Sequence, residues 1–224
     1  LNWYKEEGFI FKGGSGAGLN LSRIRSSKEL LSSGGTASGP VSFMRGADAS
    51  AGTIKSGGAT RRAAKMVVLD VDHPDIVEFV ETKAREEDKI RALRDAGFDM
   101  DLGGKDITSV QYQNANNSVR VSDEFMEAVE AGTNFALRSR DESHRVIEEV
   151  DARDLFARIA KAAWDCADPG IQYHDTINAW HTNPETGPIT ASNPCSEYMS
   201  LDNSSCNLAS LNLLKFLKAD GSFD

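Results

Sequence analysis

Cysteine, histidine and proline are scarce in this sequence of 224 residues, which contains three, four and six of them. An odd number of cysteines does not suit a disulfide-stabilised scaffold, and no apolar segment of the kind that directs secretion opens the chain. We therefore expect a cytoplasmic protein, in which any disulfide would be catalytic rather than structural. The first residues lack an initiator methionine and the last ones stop at a turn, so we also expect an internal piece of a longer protein.

Long hydrophobic runs and an excess of basic residues are missing as well. No segment approaches the roughly 20 apolar residues that span a membrane, so we expect no membrane partner. Lysine and arginine number 25 against 34 acidic residues, which gives a net charge of −9 and argues against a nucleic-acid surface. An acidic protein still binds nucleotides where a few arginines and glycines contact the phosphates. The composition, 40% hydrophobic and 26% charged, is typical of a globular protein.

Glycine is concentrated in three clusters near the start of the chain, at positions 13–18, 32–40 and 56–62. Such clusters are either flexible linkers or ordered loops whose backbone turns sharply or approaches a ligand closely. These clusters alternate with apolar segments, and that alternation favours ordered loops.

Beyond residue 64 the sequence alternates between strand and helix patterns. The predicted strands are residues 65–71, 119–121 and 135–137, and the predicted helices run from about 74 to 94, from 123 to 131, and onward from a cap at Asp151. This alternation favours an α/β fold with mainly parallel strand pairing.

The segment Asn193-Pro-Cys-Ser-Glu197 is the most informative motif, and Cys206 follows its cysteine by eleven residues. In an extended backbone the carboxamide of Asn193, the thiol of Cys195 and the carboxylate of Glu197 leave the same face, spaced by about 6.5–7 Å. Three different polar groups on one face suit the binding of one small substrate that carries several hydroxyl groups.

Several interpretations of the cysteines stay open on residue chemistry alone. A zinc site would use Cys195 and Cys206, but their spacing is not that of a Cys-x-x-Cys pair. A nucleophilic cysteine would need a base such as His174 or His181. Free cysteines are also frequently buried as small apolar residues, and this is our interpretation of Cys166, which ends a predicted apolar helix.

Four segments in the same order resemble the large subunits of ribonucleotide reductases, in particular the cobalamin-dependent class II enzymes. They are residues 14–25, 33–44, 56–65 and 193–213. The resemblance implies that residues 1–224 form the central part of one catalytic domain, a ten-stranded α/β barrel. Within it, residues 14–65 would hold the effector and substrate loops, and residues 190–213 the catalytic cysteine segment. A class I large subunit, whose radical comes from a metal-containing partner, is the nearest alternative.

The resemblance assigns a role to each residue of the motif. Cys195 would carry a thiyl radical that removes the hydrogen from the ribose 3′ carbon. Glu197 would be the general base for the 3′ hydroxyl, and burial would raise its pKa from about 4.3 for that role. Asn193 would orient the ribose hydroxyls. Cys206 would form a redox-active disulfide with a cysteine that lies, in the family, ahead of the residue corresponding to Leu1.

The glycine loops would bind nucleotides by resemblance, since they match neither a dinucleotide-binding nor a P-loop pattern. We expect the substrate to contact Gly16, Ser38 and Gly39. We expect an effector nucleotide at the following residues, which form the specificity loops: Arg25, Gly57, Gly58, Arg61 and Arg62. For the last two arginines, a solvated pair at the start of a strand is the alternative. Arginine suits phosphates because its donors form a fixed fork.

The resemblance also implies the ligands and partners of the whole protein. They are a ribonucleotide di- or triphosphate substrate, adenosylcobalamin as radical source, a deoxynucleotide or ATP effector, a thioredoxin- or glutaredoxin-type reductant, and a second copy of the chain in a homodimer. No residue is predicted to bind a metal directly, and no nucleic acid is expected. The alternative of a different class is a regulatory nucleotide-binding module without catalysis, in which the cysteines belong to the core.

Overall fold

The computed structural model describes residues 2–54, 63–101 and 103–224. In these ranges helices and strands alternate along most of the chain. In order they are α1 (Asn2–Lys12), β1 (Ala17–Asn20), α2 (Gly39–Thr53), β2 (Lys65–Asp70), α3 (Ile76–Asp95), β3 (Ala115–Val121), α4 (Asp123–Ala131), β4 (Asn134–Arg138), β5 (Val146–Asp151), α5 (Ala152–Cys166), β6 (Gly170–Tyr173), α6 (His174–Ala179), β7 (Ala191–Ser192) and β8 (Met199–Ser200).

A four-stranded parallel sheet, in the order β1-β2-β3-β6, forms the centre. Antiparallel pairing joins β4 to β5 and β7 to β8 in two separate hairpins. The predicted α/β fold with mainly parallel pairing is confirmed, and so are the three strands and three helices predicted beyond residue 64. The helix predicted to have Pro74 in its first turn begins two residues later, at Ile76.

The two faces of the sheet differ in polarity because alternate residues of a strand point in opposite directions. One face carries the main apolar core, in which Val67 and Leu69 of β2 pack with Phe79 of α3 and Leu155 of α5. The opposite face has a small apolar cluster of Met66, Val68 and Ala191. Around that cluster it carries polar side chains, namely Asn20, Asp70, Asn116, Ser118, Arg120 and Gln172.

Helix α2 occupies part of the glycine-rich region that we expected to be loop. Its Val41 and Met44 are buried in the core, and Asp48 accepts hydrogen bonds from the backbone N–H groups of Asn114 and Ala115 at 2.9 and 2.8 Å. These tertiary contacts offset the low helix propensity of its glycines and serines. Among the described residues, no helix combines the length and apolar character that crossing a bilayer requires.

Candidate active site

The Asn193–Glu197 motif forms the tip of the β7–β8 hairpin. The Asn193 N–H donates to the Tyr198 carbonyl at 3.1 Å, and the Ser196 N–H donates back to the Asn193 carbonyl at 3.1 Å. Pro194 fits the second position of this turn because its ring fixes a suitable φ, and Ser196 has a left-handed φ of 63°. The prediction of an extended segment is therefore wrong. The thiol and the carboxylate both lie at the tip of a hairpin.

Two glycines of the first cluster lie directly against this hairpin. A Cβ added at Gly16 would be 2.6 Å from Pro194 Cγ, and one added at Gly18 would be 1.7 Å from the Ser192 carbonyl oxygen. No side chain fits at either position unless the hairpin moves. Gly16, a predicted substrate contact, thus lies beside the motif.

The segment before the tip runs over the polar face of the sheet, in the direction opposite to the strands. Asn20, near the carboxyl end of β1, donates from Nδ2 to the Thr190 carbonyl at 2.9 Å. Asn116, near the amino end of β3, donates from Nδ2 to the Pro194 carbonyl at 2.9 Å. These bonds at both ends of the sheet stabilise the course of the backbone towards Cys195.

A buried glutamine lies beneath the tip. Gln172 of β6 donates from Nε2 to Ser192 Oγ at 2.7 Å and to Ser196 Oγ at 3.1 Å. Its Oε1 accepts from Arg120 Nη1 at 3.0 Å. Burial lowers the pKa of Arg120, whose other donors bind the ring Nδ1 of His174 and the carbonyl of Ile189.

Cys195 and Glu197 are exposed at the tip, while Pro194 between the thiol and the sheet is buried. The burial that we expected for Glu197 is not found. Asn193 accepts a hydrogen bond from the Tyr198 N–H at its Oδ1 (3.0 Å). Its Nδ2 has no bonding partner in the described ranges.

The other two cysteines lie outside the β7–β8 hairpin. Cys206 is exposed in residues 203–212, which form neither helix nor strand, and all three cysteines are free thiols. Cys166 ends α5, where its Sγ donates to the Ala162 carbonyl at 3.3 Å and burial raises its pKa. Across the described ranges, no three His, Cys, Asp or Glu side chains are grouped to hold a metal ion, so the zinc alternative gains no support there.

The remaining predicted binding residues are not brought to the tip. Gly39 has a φ of +76°, and an added Cβ would lie 2.5 Å from Asp75 Oδ2, past the carboxyl end of β2. Ser38 is exposed beside it, directly before α2, and Arg25 is exposed in the preceding turn. Gly16 precedes β1, at the opposite end of the sheet. The positions Gly57, Gly58, Arg61 and Arg62 lie outside the described residues.

Sequence reasoning missed the polar residues that contact the hairpin from the sheet. The signal was present in β3, where Asn116 and Arg120 are an even number of positions apart and so lie on one face of the sheet. Gln172 has no comparable local signal, because its role depends on serines twenty or more residues later.

Comparison with known proteins identifies the family. The family profile described as ribonucleotide reductase, barrel domain, matches residues 1–224. A protein of Streptomyces avermitilis named vitamin B12-dependent ribonucleotide reductase is 81% identical over 221 residues, which are 99% of this chain and 23% of the relative. A protein of the same name from Rhodopirellula baltica is 55% identical over 97% of this chain and 21% of its own length.

A third relative is more distant. The Mycobacterium tuberculosis protein named vitamin B12-dependent ribonucleoside-diphosphate reductase is 39% identical over 95% of this chain and 27% of its own length. The chain thus spans about a quarter of the length of the curated relatives it matches. The profile match covers every residue, and this chain therefore belongs to the ribonucleotide reductase barrel-domain family.

Proposed function

We propose that the protein containing this chain reduces ribonucleotides to 2′-deoxyribonucleotides by a thiyl-radical mechanism. One observation carries the proposal: Cys195 and Glu197, with one residue between them, are both exposed at the tip of a hairpin that the sheet beneath it holds in place. Direct contacts to Gly16 and Gly18 and the bonds from Gln172 fix it. Fixed reactive groups favour catalysis because little motion is needed to reach the reacting geometry.

In this mechanism Cys195 first loses its thiol hydrogen atom to the radical source. The resulting thiyl radical takes the hydrogen atom from the ribose 3′ carbon, and Glu197 takes the proton of the 3′ hydroxyl. Asn193 Nδ2 donates to a ribose hydroxyl oxygen and orients the sugar. The exposure of the tip leaves space for the nucleotide above these three side chains.

The reduction needs two electrons, which a pair of thiols supplies. The 2′ hydroxyl leaves as water with a proton from one thiol, the 2′ carbon takes the hydrogen of the other, and Cys206 forms a disulfide with a second cysteine of the complete protein. Glu197 returns its proton to the 3′ oxygen. Cys195 then returns its hydrogen atom to the 3′ carbon and becomes a radical again. A thioredoxin- or glutaredoxin-type dithiol reduces the disulfide before the next turnover.

Adenosylcobalamin is the proposed cofactor, as the names of the relatives suggest. The exposed thiol of Cys195 fits it, because a donor at a hairpin tip can be approached from above without displacing the core. When bound, the cofactor supplies the radical that starts the reaction.

The resemblance supports four further proposals about the complete protein. It would form a ten-stranded barrel, lie in the cytoplasm and assemble as a homodimer. An effector nucleotide, either a deoxynucleotide or ATP, would bind near Arg25 and residues 26–39.

Turnover by the complete protein tests both the activity and the cofactor. With ribonucleoside diphosphates or triphosphates, a dithiol reductant and adenosylcobalamin, we expect deoxyribonucleotide product, and none when adenosylcobalamin is left out. Product without the cofactor would contradict its role and favour a class I enzyme. Effector binding without any product under either condition would contradict the activity and favour a regulatory module.

A further inference from the structure

We propose that Gln172 is a positioning residue for Cys195 and Glu197, and that Arg120 fixes the orientation of Gln172. The inference rests on the proposed function of the cysteine hairpin and adds a residue that touches neither the thiol nor the carboxylate. Arg120 on the sheet donates to the side-chain amide of Gln172, and that amide donates to Ser196, the residue between Cys195 and Glu197.

The amide of Gln172 has only one workable orientation. An arginine side chain donates hydrogen bonds and never accepts them, so the group of Gln172 that faces Arg120 Nη1 at 3.0 Å is the carbonyl Oε1. The NH₂ group therefore points towards the hairpin, where it donates to Ser192 and Ser196. Gln172 is only 2% exposed, so water does not compete for these bonds.

Arg120 is fixed in turn by three partners. Its Nε donates to His174 Nδ1 at 3.1 Å, its Nη1 to Gln172, and its Nη2 to the Ile189 carbonyl. The guanidinium is planar and rigid, so three bonds in different directions leave it little freedom. Asp70, its register partner on β2, and Asp175 on α6 are the acidic groups that face it.

Ser196 transmits this constraint to the reactive groups. It stands between Cys195 and Glu197 and has a φ of 63°, a conformation that residues with a side chain adopt reluctantly. Its hydroxyl bonds to Gln172 at 3.1 Å and lies 3.2 Å from Ser192 Oγ. The backbone angles of Ser196 set the directions in which the two neighbouring side chains leave the turn, so the bond from Gln172 governs their relative placement.

Three variants of the complete protein test this role. Gln172→Met keeps the length of the side chain and removes both hydrogen-bonding groups. Gln172→Glu keeps an acceptor for Arg120 and can accept from the serine hydroxyls, which rotate their hydrogens. Ser118→Ala is the matched control, since Ser118 is 3% exposed on the same face of the sheet.

We expect Gln172→Met to lower kcat for ribonucleotide reduction about 100-fold, the size of effect that small misplacements of reacting groups produce. KM for the ribonucleotide should change less than about threefold, because Gln172 does not contact the substrate. Hydrogen exchange should accelerate in residues 192–198 and remain unchanged elsewhere. The kcat of Gln172→Glu should be at least about tenfold higher than that of Gln172→Met. Ser118→Ala should match the wild type in kcat, KM and hydrogen exchange.

Two results would overturn the proposal. One is a Gln172→Met variant whose kcat stays within about threefold of the wild type. The other is faster exchange throughout the chain, which would indicate a structural role alone. If Gln172→Met does not fold, Ser196→Ala, which removes the hydroxyl that accepts from Gln172, carries the test, and unchanged exchange in residues 192–198 together with unchanged kcat would then contradict positioning. Cys195→Ser is assayed in parallel: retained turnover there would refute the proposed function itself, while the exchange data would still judge Gln172.

Discussion

Gly18 and Ser192 are in direct backbone contact, since a Cβ added to Gly18 would lie 1.7 Å from the Ser192 carbonyl oxygen. This contact joins the first strand of the sheet to the hairpin that carries Cys195. The absence of a side chain at Gly18 thus allows a glycine-rich segment near the start of the chain to meet the backbone of the cysteine motif near its end.

Gly18→Ala should therefore move the hairpin and destabilise the fold by about 1–3 kcal/mol, the usual cost of overpacking a buried contact. Thermal unfolding of the complete protein measures the loss of stability, and deoxyribonucleotide formation should fall with it. Gly97→Ala is the control. Gly97 has a φ of +92° and nothing within 4 Å of an added Cβ, so that variant reports backbone strain alone. Equal activity of Gly18→Ala and wild type would contradict the contact.

The left-handed φ of Ser196 predicts a difference between two small substitutions. Ser196→Ala and Ser196→Gly both lose the hydroxyl that bonds to Gln172. Only glycine relieves the unfavourable φ of 63°, so Ser196→Gly should be the more stable by about 1 kcal/mol. Hydrogen exchange in residues 193–198 measures the local stability of the turn in each variant. Slower exchange in Ser196→Ala than in Ser196→Gly would show that the turn does not need a left-handed φ at position 196.

A buried ion pair at the start of β2 predicts a pH effect. Lys65 is fully buried against Glu7 of α1. Burial raises the pKa of Glu7 above its ordinary value of 4.5, although Lys65 opposes the shift. Burial likewise lowers the pKa of Lys65, and Glu7 opposes that shift. A carboxyl group with a raised pKa stabilises the fold fully below pH 4.5, and this contribution is lost as the pH rises through its folded-state pKa.

Lys65→Met should consequently leave an unpaired buried carboxylate and destabilise α1 and β2 by about 3–5 kcal/mol at pH 8. The loss should shrink as the pH falls towards 4.5, because Glu7 then takes up a proton. The double variant Glu7→Gln, Lys65→Met should be less destabilised at pH 8 and less dependent on pH. Hydrogen exchange of the α1 and β2 amides at several pH values measures this. If the difference in stability between the single and the double variant did not change with pH, the result would contradict the account.

Glu197→Gln tests the assignment of the general base. The amide has nearly the same shape but cannot take the proton of the 3′ hydroxyl, so kcat should fall by about 10²–10⁴-fold, with a smaller change in KM. Glu185→Gln, an exposed glutamate ahead of the hairpin, is the control and should retain wild-type kcat. A Glu197→Gln variant within threefold of the wild type would assign the base elsewhere.

The regular part of the fold was predictable from the sequence, while the first part was not. Apolar periodicity and caps located β2, α3, β3, α4, β4 and α5, because local signals and burial agree there, whereas β5 was not predicted. Helix α2 was missed because its glycines and serines carry little helix signal, and contacts such as that from Asp48 to Asn114 and Ala115 supply its stability instead.

The candidate site was predictable in composition but not in geometry. The motif identified Asn193, Cys195 and Glu197, yet the extended arrangement was wrong because Ser196 adopts a left-handed turn. The contact of Gly18 with Ser192 joins residues that are distant in sequence, so no local pattern reveals it. The bonds from Gln172 depend in the same way on tertiary structure.

The central claim is that Cys195 is the residue whose sulfur reacts with the substrate. Deoxyribonucleotide formation by the complete protein, with Cys195 replaced by serine, tests it most directly. Cys166→Ser serves as the control, because that thiol ends α5 away from the hairpin. We predict no detectable product from Cys195→Ser, unchanged thermal stability, and normal turnover by Cys166→Ser. Wild-type product formation by Cys195→Ser would contradict the account.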